Sequence, residues 1–466
     1  MSRRGVPLRV KNNTDTPHSQ PWAGRSTTPY LPYSWLCPLH LLLSTSGPSM
    51  IHTNEDDEKC TKYFFQHIRR KKQTIDTLKD HTQTPQTDEH TITDIITDFY
   101  TNLYATKSTD DDLINGLLQH IIPVPDKEEE GDLTLEELTR AMRSLSTGKT
   151  PGPDGLPAEF YITFWEHLKV CLGAVYNSMY REGKLAPSMT ESAVTLLYKG
   201  KGDATELRNW RPISLLGSDY KILAKTLMYR LQRSLPQAVG SDQTCGAPGR
   251  SALDNLSAVR DIFAHSVERS QPFCLFNLDQ EKAFDRVSHP YMLRVMARMN
   301  LALSLRNWVS IIYRNNTSKI LINGTPSAPI PMHSGVRQGC PLSALLYTIA
   351  IEPLLVSIRH NPRITGYPLP GAHGMTVKTQ AYMDDITIIT TDTKSIPHIT
   401  HAINTFCTAT GKHIHTHVKQ NNHHLSLQTA TVFTFHLALP SLMFSVRSNV
   451  FFLFFSLFIY YFKITK

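Results

Sequence analysis

The stretch that most constrains this chain is Ala381-Tyr382-Met383-Asp384-Asp385-Ile386, where two adjacent carboxylates interrupt a run of strand-forming residues. Before it, Val377, Thr379 and Ala381 fall at every second position, and after it Ile386-Thr387-Ile388-Ile389-Thr390 is rich in β-branched side chains. That pattern predicts strand, tight turn, strand. Two carboxylates on a rigid turn concentrate negative charge, which is costly to hold unless a cation neutralises it. Oxygen-only donors suit magnesium, and two such ions roughly 3.5–4 Å apart can stabilise both the attacking and the leaving oxygen of a phosphoryl transfer.

Such a site needs one more carboxylate from elsewhere in the chain. Phe273-Cys274-Leu275-Phe276-Asn277-Leu278-Asp279 supplies it, as a short apolar run that reads as a buried strand with Asp279 at its C-terminal end. A pair of aspartates alone would say little, since exposed turns are full of them. The flanking blocks are more specific. Phe276 to Asp279 is followed by Lys282-Ala283-Phe284-Asp285-Arg286-Val287, then by Gly335-Val336-Arg337-Gln338-Gly339-Cys340-Pro341-Leu342-Ser343, then by the Tyr382-Met383-Asp384-Asp385 box. Upstream stand Gly148-Lys149-Thr150-Pro151-Gly152-Pro153-Asp154-Gly155-Leu156-Pro157 and Asn209-Trp210-Arg211-Pro212-Ile213-Ser214-Leu215-Leu216. In this order the blocks resemble the reverse transcriptase of non-LTR (LINE-type) retrotransposons, over roughly residues 58–411.

The resemblance implies an α+β right-hand polymerase with fingers and a palm, the palm being an antiparallel sheet backed by helices. The expected divisions are 1–57 as a disordered or family-foreign N-terminus, 58–129 as a linker region, 130–272 as fingers, 273–428 as palm and 429–466 as an unrelated hydrophobic tail. The family's endonuclease, thumb and C-terminal nucleic-acid-binding region are expected to be absent. The implied activity is RNA-directed DNA polymerisation, with an RNA template, a DNA primer and deoxynucleoside triphosphates as partners. Asp279, Asp384 and Asp385 are the implied catalytic residues and ligands of two Mg2+ ions, with Mn2+ as a substitute, and Asp385 is the weaker ligand. Lys199 and Arg211 match positions that grip the incoming triphosphate. Phe284, five residues after Asp279, matches an aromatic gate that excludes a 2′-hydroxyl, the rival reading being a phenylalanine of the core. Gln338-Gly339 matches a loop packed against the nascent base pair, where glycine permits close backbone approach. The alternative to an active enzyme is a truncated, non-catalytic remnant that at most binds RNA or DNA.

The 466 residues suffice for two or three domains, and the net charge of +8 is compatible with a polyanionic partner. Between Lys199 and Arg260 ten Lys or Arg stand against five Asp or Glu. Seven cysteines without a Cys-x-x-Cys pair argue against a disulfide framework or a zinc knuckle and suit a reducing compartment, nucleus or cytoplasm. His413, His415 and His417 alternate, but no carboxylate or cysteine accompanies them as a further ligand. The Gly148-Lys149-Thr150 triplet is no phosphate-binding loop, because Arg143 stands where the first glycine belongs. The apolar run 450–462 is too short for a membrane span of roughly 20 residues, so no stable membrane partner is expected.

Locally, Thr134 and Glu137 predict a capping box, with Leu135, Leu138, Met142 and Leu145 at helical spacing. Residues 194–198 and 319–323 read as strands and 344–358 as a helix. Ser218 is expected to cap a helix with the stripe Leu223, Leu227, Leu231 and Leu235, stopped by Pro236. The basic run 67–72 could touch phosphate or be plain surface. A family lysine expected near Lys419 is out of register.

Overall fold

The computed structural model describes residues 74–125, 131–271, 273–369, 374–412, 414–416 and 431–434, with only the backbone at 415–416 and 431–434. All of them lie in one compact unit, Asp56–Lys466. Two sheets organise it. The first is formed by β1 (Glu191–Tyr198), β2 (Trp210–Leu215), β4 (Thr317–Ile322) and the short β5 (Thr325–Pro326) and β6 (Ile330–Pro331). Its centre is a parallel pairing of β1 with β4, while β2 joins β1 antiparallel.

The second sheet contains β3 (Cys274–Gln280), β7 (Thr379–Tyr382), β8 (Asp385–Thr390), β9 (Ile414–Thr416) and β10 (Thr431–Thr434). All of its pairings are antiparallel, and β3 lies between β8 on one side and β9 and β10 along the other. Period-2 alternation decides its faces. Phe276, Leu278, Ile386 and Ile388 enter the main core, whereas Leu275 and Ile389 face a smaller cluster with Phe273, Tyr367 and Ile262.

Helices supply the rest of the core. Helix α1 (Glu89–Tyr104), capped by the Asp88 side chain, lays Ile92, Ile96 and Tyr100 on Val194, Leu196 and Ile320 of the first sheet. The following helices are α2 (Asp111–Leu118), α3 (Leu135–Arg143), α4 (Ala158–Glu182), α5 (Ser218–Ala238), α6 (Ala252–Arg269), α7 (His289–Arg298), α8 (Leu303–Ile312), α9 (Ser343–His360) and α10 (Ile396–Thr410). Helix α9 is buried nearly all round, as its run of Leu, Ile and Val predicts. Each of its fully buried Leu and Ile side chains contributes roughly 1.5–3 kcal/mol of burial free energy.

Several sequence expectations are met. The Thr134–Glu137 capping box forms, the 194–198 strand extends to β1, the 319–323 strand is present as β4 but ends one residue earlier at Ile322, and the 344–358 helix extends to α9. The Leu223, Leu227, Leu231 and Leu235 stripe is wholly buried. Two details differ. Ser218 is the first helical residue rather than the cap; its hydroxyl donates to the Leu156 carbonyl, and Gly217 takes the cap position. Pro236 does not stop α5, which runs to Ala238, because a proline in the last turn forfeits only one backbone hydrogen bond. The basic run 67–72, His413, His417, Lys419 and the apolar segment 450–462 lie outside the described residues. Among the described residues, no helix is long and apolar enough to cross a membrane.

Candidate active site

The hairpin read from the sequence is present. Thr379↔Ile388 through Tyr382↔Asp385 pair across β7 and β8, leaving Met383 and Asp384 as a two-residue turn. Such turns need positive φ, and Met383 takes it at 54°, a conformation that costs a side-chain-bearing residue roughly 1–2 kcal/mol. Asp384 is half-buried in the turn and Asp385 opens β8 exposed. Strand β8 in turn pairs with β3, Ile386 opposite Leu278. One step further along that register, Asp385 comes opposite Asp279, which is also exposed.

The three carboxylates therefore share one end of adjacent strands. Their oxygen donors fit a hard divalent cation. Among the described residues, no three His, Cys, Asp or Glu side chains already converge into an ion-holding cluster. The juxtaposition thus belongs to the backbone register rather than to a finished ligand cage.

A cation the sequence reading did not single out stands behind the turn. Lys412, just past the left-handed Gly411 that ends α10, is buried with its Nζ 4.5 Å from the Tyr347 ring centroid. Burial pushes its ammonium down to about 7, and the Asp384 charge opposes that shift. Its Nζ has no hydrogen-bond partner among the described residues. Asp384 thus lies within the electrostatic reach of this lysine, and Tyr347, whose ring the lysine overlies, donates to Gln280 Oε1 of β3 at 2.6 Å. No local pattern announces a buried lysine after a helix stop.

Lys199 and Arg211 arrive from the first sheet. Lys199 follows β1, its N–H donating to the Asn209 carbonyl at 2.9 Å, and Arg211 pairs with Leu197 on β2. Burial and the neighbouring Arg211 push the Lys199 ammonium down, while Asp279, Asp285 and Glu281 pull it up. Lys199, one of the expected triphosphate-gripping pair, therefore lies within the field of the Asp279 end of the second sheet.

Between the sheets runs a buried polar connection. Lys282, at a φ of 50°, donates to the Trp210 carbonyl at 2.6 Å. Burial raises the Asp285 carboxyl, which accepts from Gln338 Nε2 at 3.2 Å. Gln338 also accepts the Ser214 N–H on its backbone at 2.7 Å. Gly339, at a φ of 106°, does permit a close backbone approach: a Cβ there would meet Ser214 O at 2.7 Å. The backbone it approaches is β2. Phe284 is half-buried, with its ring stacked on Tyr347 at 4.8 Å between centroids.

Residues 199–421 match the family model described as reverse transcriptase (RNA-dependent DNA polymerase). The chain is 34% identical over 342 residues to the transposon TX1 uncharacterized 149 kDa protein of Xenopus laevis, covering 72% of this chain and 26% of that protein. It is 25% identical to the Pol polyprotein from type-1 retrotransposable element R2 of Nasonia vitripennis, covering 51% and 22%. It is 24% identical to the RNA-directed DNA polymerase from mobile element jockey of Drosophila melanogaster, covering 57% and 28%. The chain spans about a quarter of the length of these curated relatives. With the ordered sequence blocks, the paired aspartate strands and these matches together, the chain belongs to the reverse transcriptases of the non-LTR, LINE-type retrotransposon kind.

Proposed function

We propose that this domain extends a DNA primer on an RNA template, using deoxynucleoside triphosphates in a two-metal nucleotidyl transfer. The observation that carries the reading is the shared end of β3 and the β7–β8 turn, where Asp279, Asp384 and Asp385 stand on adjacent strands. In this reading residues 273–428, which carry most of the second sheet, are the palm, and residues 130–272 are the fingers. Asp279, Asp384 and Asp385 would hold two magnesium ions, or manganese in their place. When bound, these supply charge neutralisation at the phosphates and activation of the primer hydroxyl.

The chain's own residues do the positioning. Lys199 and Arg211 offer charge-assisted hydrogen bonds to the triphosphate, whose negative charge they neutralise. Phe284 bounds the sugar position, and the Gln338-Gly339 loop, held on β2 by Ser214, forms the wall against the nascent base pair.

Primer extension by the full chain on an RNA template with Mg2+ tests the proposal. The unmodified chain should add deoxynucleotides. Asp384→Asn should lower the rate by about 10² or more, roughly 3 kcal/mol of transition-state stabilisation, with template binding nearly unchanged. Equal loss of binding and synthesis would count against a metal-holding role. A second reading, a non-catalytic binder of RNA or DNA, draws on the absence of a finished ligand cage among the described residues. Template binding without any synthesis by the unmodified chain would select it.

A further inference from the structure

The Met383-Asp384 turn does not hold its shape by itself. Methionine gains nothing from a φ of 54°, so some outside contact must favour that conformation. The segment 240–245 makes several. It lies along β7 through a parallel bridge between Gln243 and Ala381. The Ala381 N–H donates to the Asp242 carbonyl at 2.8 Å, and the Thr244 N–H donates to the Ala381 carbonyl at 3.0 Å. Asn255 of α6 donates a further hydrogen bond to the Ala381 carbonyl, at 2.8 Å.

The segment is itself anchored. Asp242 accepts from Thr379 on β7 and pairs with Arg359, and Arg359 pairs with the buried Glu352 of α9. Glu352 Oε1 also accepts the Gly240 N–H at 2.9 Å. The loop is thereby tied to β7 at one end and to the most buried helix at the other.

From this anchored loop one side chain reaches the turn. Gln243 is fully buried, and its Oε1 accepts from the Met383 N–H at 3.3 Å and from the Cys245 N–H at 3.2 Å. Two N–H donors on one atom fix which end of the amide points at the turn. Its Nε2 has no hydrogen-bond partner among the described residues, so the amide is held by its oxygen alone.

We propose that Gln243 is a positioning residue whose side-chain oxygen holds the left-handed Met383 peptide, and so sets where the Asp384 carboxylate points. The inference rests on the reading of Asp384 as a metal-holding residue. Gln243 itself touches neither substrate nor metal in this scheme; it acts through the turn, as outer partners of metal ligands do.

Two measurements on the full chain test it. The first is hydrogen exchange at the Met383 amide in Gln243→Met, a variant of similar shape without the strong acceptor. Exchange should be about tenfold faster or more, with the β3 amides unchanged. The second is Mn2+ affinity by electron paramagnetic resonance, with Asp384→Asn defining the site's share of the signal. Gln243→Met should weaken that share by about tenfold. Gln243→Glu, which keeps an acceptor oxygen, should restore the protection. Adding Met383→Gly to Gln243→Met should recover part of the Mn2+ affinity, because glycine takes positive φ without help. A merely destabilised core would be loosened further by that glycine.

Unchanged Met383 exchange in Gln243→Met overturns the proposal whatever the activity. Faster exchange throughout the sheet does so too, as does local loosening with unaltered Mn2+ affinity. If instead Asp384→Asn binds Mn2+ as the unmodified chain does, the metal-holding reading falls, and the inference falls with it.

Discussion

The two sheets are built from similar alternating apolar residues, yet they present opposite charges. At the edge of the first, Lys199 and Arg211 stand close enough that the Arg211 charge, with burial, pushes the Lys199 ammonium down. At the end of the second, Asp279 and the Asp384-Asp385 turn share adjacent strands. The supports also differ. The cations stand on long side chains at a solvent-facing margin, while the Asp384 turn is backed by Lys412, Tyr347 and the loop carrying Gln243. The lesson is that the anionic end needs the tighter scaffold, because like charges must be held together against repulsion, whereas flexible cations can close on an incoming anion.

The sharpest way to break this comparison is Lys199→Ala. If the first sheet serves only the triphosphate, KM for deoxynucleotide should rise about tenfold, the equivalent of roughly 1.5 kcal/mol for a lost charge-assisted hydrogen bond. Steady-state kinetics would show kcat and template affinity nearly unaltered. A fall in kcat alone would mean that the cation acts on the chemical step and that the two ends are not functionally separate.

Phe284→Ala probes the anionic side more gently. The ring stacks on Tyr347, so its removal should lower the melting temperature by an amount equivalent to about 1–2 kcal/mol. As a sugar gate it should also raise incorporation of ribonucleotides relative to deoxyribonucleotides in competition assays. A lower melting temperature with an unchanged ratio would assign the ring to the core.

The smallest expected effect concerns the anchor behind the turn. Burial pushes the Glu352 carboxyl up to about 7 from an ordinary 4.5. Because the folded state holds this proton more tightly than the unfolded chain, the stabilisation is complete below about pH 4.5. It is lost as pH rises through about 7. Glu352→Gln should therefore show a smaller decline in melting temperature between pH 5 and pH 8 than the unmodified chain. Parallel pH profiles for the two would remove Glu352 from the account.

The two sheets also differ in how far the sequence revealed them. The β7–β8 hairpin was legible because its pairing is local and its pattern, alternating residues around a two-residue turn, is written in ten consecutive positions. The α5 leucine stripe was legible for the same reason. The parallel β1–β4 pairing was not, since nothing in residues 191–198 names a partner near 317. Lys412 and Gln243 were missed for a related cause: a buried polar residue is recognised by what surrounds it, and their surroundings come from α9, α10 and β7. Ser218 misled because a serine at a helix start reads as a cap until the chain supplies it with a different acceptor, here Leu156.

That parallel pairing has a consequence in time. Thr195 meets Leu321, a separation of 126 positions (321 − 195). At roughly 5–20 residues per second of synthesis, β1 waits about 6–25 s for its central partner, whereas a hairpin such as β7–β8 closes within about 10 μs of being available. During that wait β1 and β2 present an unpaired strand edge, open to misplaced pairing with a neighbouring chain. The strand pair that brings Lys199 and Arg211 to the site thus depends on an undisturbed birth, whereas the aspartate hairpin closes on itself as soon as it emerges.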